Sequence, residues 1–432
     1  MIWNKEIETM PRTKMRELQL ERLKYIVRYC YDNVPFYKKR FDENGIDPDC
    51  IKSLEDIKRI PPTTKADLRD NYPFGMFAVP RKKIVRLHAS SGTTGKPTVV
   101  GYTKNDLDIW AENMARLVYG VGANEDSIVQ ICFGYGLFTG ALGLHYGLEK
   151  VGASVVPSSS GNSEKQLMLM RDFGTNTLVA TPSYALYLSE LAKELEFPMS
   201  DYHLKLGLLG SEGCTVEMRD QIERNWGMFV TDNYGLSEIG GPGMSGECEH
   251  RCGLHINEDS FLCEIVDPET LEQKGEGDSG ELLVTTLTKE GMPLLRYRTK
   301  DITRINYEPC KCGRTLARMD KTTGRTDDMI KIRGVNVFPS QVESALLGID
   351  KIGPHYMLIV RREGFHDTLE VQVEMTDSSV LEKFSELEAL HNTIKHKIKT
   401  VLGIDIKVTL VAPKTLERFQ GKAKHVTDLR KA

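Results

Sequence analysis

Between Ser127 and Thr231 the chain alternates short β-rich runs with stretches of helical periodicity, and this alternation restricts the fold more than any other feature. The β-rich runs are Ser127 to Cys132, Ala153 to Pro157, Thr177 to Ala180, Leu204 to Leu209 and Met228 to Thr231, with helical stretches such as Ser183 to Leu195 and Val216 to Asn225 between some of them. Such a pattern predicts parallel α/β layers. Upstream, Met15 to Val34 carries apolar residues at helical spacing, Thr64 is placed to cap a helix with Asp67 three residues on, and Thr103 to cap another running to about Tyr119. Past Gly253 the texture turns to strand and turn, with Phe261 to Val266 and Gly280 to Leu287 implying a β-subdomain over about residues 245–320. From about Asp328 it changes again. A helix starts near Pro339, strands follow at Tyr356 to Arg361 and Leu369 to Met375, then a helix from about Val380 to Val401 and a strand at Ile406 to Val411. The expected fold class is therefore α/β: a large N-terminal α/β domain with a β-subdomain, residues 1–326, and a small C-terminal α+β domain, residues 327–432.

A chain of 432 residues with 40% hydrophobic and 27% charged residues can bury a large core. Its formal net charge of -4 gives no general attraction for nucleic acid or an anionic membrane. No apolar run approaches the length of a bilayer, so the cytoplasm is the expected location. Nine cysteines, an odd number, do not make a disulfide scaffold at this length. Cys30, Cys50, Cys132, Cys214 and Cys263 are scattered and read as small buried hydrophobes.

The stretch Ser90-Ser91-Gly92-Thr93-Thr94-Gly95-Lys96-Pro97 follows a short strand, Ile84 to His88. Glycines let backbone N–H groups approach an anion, hydroxyls add donors and the lysine adds charge, so phosphate suits this loop. It is not a Walker A loop, since Ser90 stands where the first glycine is required and Pro97 where a hydroxyl should hold magnesium. A second group is Asp232-Asn233-Tyr234-Gly235-Leu236-Ser237-Glu238: a flat ring for a base, room beside it, and oxygen donors for magnesium. Asp301, after Arg296-Tyr297-Arg298-Thr299-Lys300, can accept from both hydroxyls of a ribose, and Arg325 can reach hydroxyl and phosphate together. Near the C-terminus Lys422 follows Gly421 in a polar loop.

In this order, and spread over nearly the whole chain, these five groups resemble the acyl-adenylate-forming superfamily of acyl-CoA synthetases and adenylation domains. The resemblance is carried also by Phe133-Gly134-Tyr135-Gly136, Leu287-Thr288-Lys289-Glu290 and Arg333-Gly334-Val335-Asn336-Val337-Phe338-Pro339. It implies a ligase working in two steps. A carboxylate attacks the α-phosphate of ATP to give acyl-AMP and pyrophosphate, and the thiol of coenzyme A then displaces AMP. By the same resemblance Ser90, Ser91, Gly92, Thr93, Thr94, Gly95 and Lys96 hold the outer phosphates, and Glu238 binds Mg2+ with help from Ser237. Ser211, Glu212 and Gly213 line the adenine pocket with Tyr234 stacking, Asp232, Asn233 and Gly235 also bind the nucleotide, and Asp301 and Arg325 hold the ribose. Lys422 bridges the acyl carboxylate and the α-phosphate. Because Lys422 belongs to the small domain, that domain is expected to be mobile, with a hinge at Asp327 and a CoA face including Lys331, Arg333 and Gly334. One departure is local: Glu417-Arg418-Phe419-Gln420 precede Gly421-Lys422, where close relatives have proline before the arginine and serine before Gly-Lys.

Tyr135, Gly136 and Phe138, with Gly140 and Gly143, look like the aromatic and small residues that shape a flat apolar pocket in this superfamily, so an aryl acid is expected, phenylacetate first. Cys248 to His255 and Cys310-Lys311-Cys312 form two knuckles suited to tetrahedral Zn2+. Cys310 and Cys312 make one pair, and the first knuckle offers four candidates for two places. The resemblance selects Cys248 and His255, with Cys252 as substitute, in a structural site. It also implies a homodimer. Two rival readings are adenylation with transfer to a non-CoA acceptor, and a zinc-knuckle nucleic-acid binding module, against which the acidic balance weighs.

Overall fold

A computed structural model describes residues 1–90, 97–326, 330–332, 335–363, 366–377, 384–417 and 425–430. They fall into two compact units: residues 1–180, 192–211 and 228–322 in one, and the described parts of 181–191, 212–227 and 323–432 in the other.

In the first unit, Arg86–Ala89 (β1) and Val99–Tyr102 (β2) pair antiparallel on either side of the hydroxyl-rich stretch in sequence. The alternation then yields a parallel sheet: Ile128–Ile131 (β3), Ser154–Val156 (β4), Thr177–Ala180 (β5), Leu206–Leu209 (β6) and Phe229–Leu236 (β7), in the order β4-β3-β5-β6-β7. β5 and β6 are buried at every position, as strands covered on both faces must be. β7 runs five residues beyond its expected end and turns into antiparallel pairing with Gly241–Gly246 (β8), which pairs with Leu254–Ile256 (β9). Two short strands, Ile305–Asn306 and Arg318–Met319, complete nine strands. Phe261–Val266 (β10), Gly280–Thr286 (β11) and Tyr297–Thr303 (β12) form an antiparallel meander.

The helix Lys104–Gly120 begins at a capping box in which Thr103 Oγ1 accepts from the N–H of Asp106 while the Asp106 carboxylate accepts from that of Thr103. Against it lies the helix Gly140–Lys150, absent from the sequence reading. Its glycines allow the approach: a Cβ on Gly143 would fall 2.5 Å from the Trp110 ring, and one on Gly147 2.4 Å from the Met114 Cβ. Gly143 thus has a packing reason of its own, and Gly140 sits under the Phe138 ring, 2.3 Å from where a Cβ would be. Of the scattered cysteines, Cys30, Cys132 and Cys214 are buried, whereas Cys50 and Cys263 are only partly so.

In the second unit, Ile352–Glu363 and His366–Met375 pair antiparallel, with Lys407–Val411 added in parallel at one edge and Val426–Asp428 at the other. Leu358, Val360, Val371 and Val373 of the sheet and Ile394 and Ile398 of the helix Phe384–Leu402 make its core. The strand Val426–Asp428 has no apolar alternation to announce it; pairing with a longer neighbour creates it.

Candidate active site

In sequence, one group of candidate residues follows the C-terminal ends of β3 and β6 or occupies the last part of β7 and the turn after it, the end at which open α/β sheets form their ligand crevices. Backbone and side chains link these segments. The amide of Ala89 and Nδ1 of buried His88 both donate to the carbonyl of Leu137, at 3.1 and 3.0 Å, and Ser90 and Thr98 are joined by a Ser90 N–H to Thr98 carbonyl bond of 3.0 Å. Asn233 Nδ2 donates to the carbonyl of Leu209 at 3.1 Å, locking the end of β7 to that of β6.

Tyr234 and Asp301 are brought together. The phenol donates to Asp301 Oδ2 at 2.5 Å, the short distance of a bond to an ionised oxygen, and Asp301 is buried on β12. Gly235 has a steric reason: an added Cβ would fall 2.1 Å from the carbonyl oxygen of Gly241, where the register of the β7–β8 pair shifts. Asp232 pairs with Lys321 at 3.5 Å, and its N–H donates to Glu247. Ser237 Oγ lies 3.0 Å from Thr139 Oγ1.

Glu238 is buried in a short 3-10 turn, with its carboxylate 3.2 Å from Lys65 Nζ. Beneath it, buried Lys289 donates to the Glu238 carbonyl at 3.4 Å and lies over the Tyr102 ring. Burial pulls the Lys289 pKa down to about 8, against Asp106 and Glu238, which favour its charge. The sequence reading missed Lys65. Its position comes from Thr63, whose N–H donates to the carbonyl of Arg296 and whose own carbonyl accepts from the N–H of Arg298. The signal available was a lysine just behind the Thr64 helix cap, which by itself is weak.

Tyr135 is half-buried, and its hydroxyl lies 3.0 Å from Nδ1 of His145, whose Nε2 lies 3.0 Å from Glu149. Phe138 is exposed, and an added Cβ on Gly136 would touch nothing within 4 Å. Ser211 adopts a left-handed backbone at φ 72, sparsely populated for a residue with a side chain. In the other unit, Glu212 accepts from the Ser183 N–H at 2.6 Å, a Cβ on Gly213 would meet nothing within 4 Å, and Arg325 is half-buried in the strand Gly324–Arg325. Lys331 faces Asn336 across a two-stranded ribbon. Ser91, Gly92, Thr93, Thr94, Gly95, Lys96, Asp327, Arg333, Gly334 and Lys422 lie outside the described residues.

The two knuckles also converge. One ligand atom from each of Cys248, His255, Cys310 and Cys312 lies within 4.8 Å of the others. A tetrahedral Zn2+ with bonds of about 2.3 Å to sulfur needs sulfurs about 3.8 Å apart. The Cys248 and Cys310 sulfurs are 3.8 Å apart, and Cys312 Sγ is 3.4 Å from His255 Nε2. A hydrogen bond from the Cys248 thiol lowers the Cys312 pKa, which favours the thiolate that a metal requires. Exposed Cys252 approaches only the edge of the group, 3.4 Å from Cys310 Sγ.

Comparison with known proteins settles the family. The AMP-binding enzyme family matches residues 15–288, and the AMP-binding enzyme C-terminal domain matches residues 334–430. The phenylacetate-coenzyme A ligase of Thermus thermophilus is 50% identical over 445 residues, covering 100% of both chains. That of Escherichia coli is 47% identical, covering 98% of this chain and 97% of its own. The chain belongs to the phenylacetate-CoA ligase family. A crystal structure of 2-hydroxyisobutyryl-CoA ligase in the postadenylation state, in complex with an acyl-AMP, matches with a TM-score of 0.93 at 30% identity, covering 100% of this chain and 93% of that one. The phenylacetate-CoA ligase family thus supplies the adenylate-forming fold in which the Tyr234–Asp301 pair and Glu238 are set. No helix among the described residues is long and apolar enough to cross a membrane.

Proposed function

We propose that the acid this protein activates is phenylacetate or a near aryl analogue, which it joins to coenzyme A. As a member of its family it is an AMP-forming acid–thiol ligase that works through an acyl-adenylate. The observation that carries the aryl reading is end-to-end identity of 46 to 50% with phenylacetate-coenzyme A ligases from four organisms.

The chemistry must bring two anions together, since the attacking carboxylate meets a triphosphate. Asp301 accepts from the ribose hydroxyls while Tyr234, held by that same carboxylate, offers its ring to the base. Arg325 reaches the ribose, and Ser211, Glu212, Gly213, Asp232, Asn233 and Gly235 bound the adenine. Ser90 to Lys96 hold the outer phosphates. The Glu238 carboxylate and the Ser237 hydroxyl are the hard oxygen donors that Mg2+ takes, and Lys65 occupies the carboxylate in the meantime. Mg2+ neutralises phosphate charge when bound. Lys422 then places its ammonium between acyl carboxylate and α-phosphate, where charge accumulates. The small domain turns about Asp327 to bring Lys331, Arg333 and Gly334 to coenzyme A for the second step. Tyr135, Gly136 and Phe138 border the acid.

Cys248, His255, Cys310 and Cys312 hold a structural Zn2+: donor types and spacings both suit it, and four protein ligands leave no open position. A homodimer in the cytoplasm completes the proposal. The test is a panel of carboxylic acids with ATP, followed for pyrophosphate release and, with coenzyme A, for thioester. Phenylacetate is expected to give the highest kcat/KM. Adenylate without thioester would point to a different acceptor, and preference for an alkyl acid would overturn the aryl reading.

A further inference from the structure

With the His145 ring neutral, the Tyr135–His145–Glu149 chain has a single hydrogen-bond polarity, which decides what the Tyr135 oxygen can offer an acid. Glu149 lies one helical turn beyond His145 in the helix Gly140–Lys150, and its carboxylate can only accept. His145 Nε2 therefore carries the proton. In the neutral ring Nδ1 is then a bare acceptor, so the Tyr135 hydroxyl must donate to it across their 3.0 Å contact. With its one proton committed, the Tyr135 oxygen has only lone pairs left for anything on its other side. The His145 ring also meets the Tyr135 ring edge-on, at 5.7 Å between centroids and 88° between planes, which fixes the orientation of the phenol as well as its polarity.

We infer that His145 is a specificity-determining positioning residue: through Glu149 it locks Tyr135 as a hydrogen-bond acceptor, so that the acid pocket favours aryl acids carrying a ring hydroxyl or N–H over matched acids carrying only an acceptor. The inference rests on the reading of Tyr135 as a wall of the acid pocket. A plain phenyl ring places no polar group against the Tyr135 oxygen and is admitted by contact alone. A ring hydroxyl satisfies the oxygen, whereas a ring fluorine sets one electron-rich atom against another.

The experiment measures kcat/KM, by pyrophosphate release, for hydroxy- and fluorophenylacetates substituted at matching ring positions. It uses the full-length enzyme and the variants His145→Gln, His145→Leu and Tyr135→Ala. The unmodified enzyme is expected to prefer the hydroxy acid at the position facing Tyr135 by about tenfold, the worth of one hydrogen bond to a neutral group. His145→Gln keeps both an acceptor for Tyr135 and a donor for Glu149, and should keep that ratio. His145→Leu frees the phenol to donate into the pocket, and should collapse the ratio toward one. Loss of stability alone would lower both rates and leave their ratio in place, so a merely structural role for His145 predicts an unchanged ratio. If Tyr135→Ala changes the KM of the acids while His145→Leu leaves the ratio intact, the polarity lock is overturned and the pocket reading survives. If Tyr135→Ala changes neither, the pocket reading itself fails.

Discussion

The end of the parallel sheet proposed for the nucleotide and the Cys/His cluster are built in opposite ways. In the cluster the four donors approach one another directly, and a single ion would satisfy them all. At the sheet end each candidate group is held by a different neighbour, Asp301 by Tyr234, Glu238 by Lys65 and Lys289, and Ser237 by Thr139. A convergent site is a clamp, and damage to it should be read in stability. A site of individually supported groups should fail one step at a time, and damage there should be read in rates.

The largest expected effect tests that division. Lys422→Ala removes the cation proposed to meet the developing charge of adenylation, and should slow acyl-AMP formation by about a hundred- to a thousandfold. Thioester formation from supplied acyl-AMP and coenzyme A should stay within a few fold. Equal losses in both half-reactions, measured separately, would show that the lysine serves the whole site rather than one step.

Next comes Lys289, a group at the sheet end whose effect should nonetheless appear in stability. Its folded pKa of about 8 lies below the ordinary 10.5, so between those values the unfolded chain binds the extra proton. Stability should therefore rise as pH climbs from about 8 to 10.5, by up to about 3 kcal/mol from this one group. Glu238 and Asp106 face the ammonium and oppose the shift, which burial drives; His88, also near the ammonium, has its own pKa lowered by burial and is neutral in this range. In Lys289→Met that rise should vanish, seen as a flatter dependence of the melting temperature on pH. Parallel profiles for the two proteins would refute it.

How far these regions could be read in advance follows from the same contrast. The strands Thr177–Ala180 and Phe261–Val266 are found at their expected bounds, because runs of buried β-formers between turn residues need no tertiary context. The cluster was legible because cysteine and histidine at short spacings have few structural uses, although spacing alone left four candidates for two places. The helix Gly140–Lys150 was not legible. Gly140 and Gly143 read as pocket residues, and only contacts with Phe138 and Trp110, and of Gly147 with Met114, explain why a helix carries three glycines. Lys65 and Lys289 were invisible as site residues for a related reason. A lysine beside a cap and a lysine before a glutamate look like solvated charges until the fold sets both against Glu238.

Asp301→Asn is expected to have a smaller effect than either lysine change. It keeps the shape and loses the charge, so both the Tyr234 hydrogen bond and the proposed ribose contact should weaken. Loss of charge-assisted hydrogen bonding at this level should raise the KM for ATP by about ten- to a hundredfold. The KM for the acid should hardly move. A rise in the acid KM of the same size would mean that Tyr234 and Asp301 shape the acid pocket as well.

Cys252 should show the smallest effect and decide the membership of the clamp. It is exposed, its sulfur lies 3.4 Å from that of Cys310, and it is not one of the four donors that converge among the described residues, so Cys252→Ser removes no member of that set. The variant should keep one zinc per chain, measured by release to a colorimetric chelator under denaturing conditions. Its stability should stay within about 0.5 kcal/mol of the unmodified protein, as for an ordinary surface change. Cys248→Ser, by contrast, takes a buried sulfur from among the four that converge and should lose the metal together with stability. The reverse outcome, with metal lost from Cys252→Ser and retained in His255→Ala, would transfer the fourth ligand to Cys252. In that case the 3.4 Å approach to Cys310 would mark the bonding edge of the tetrahedron rather than its periphery.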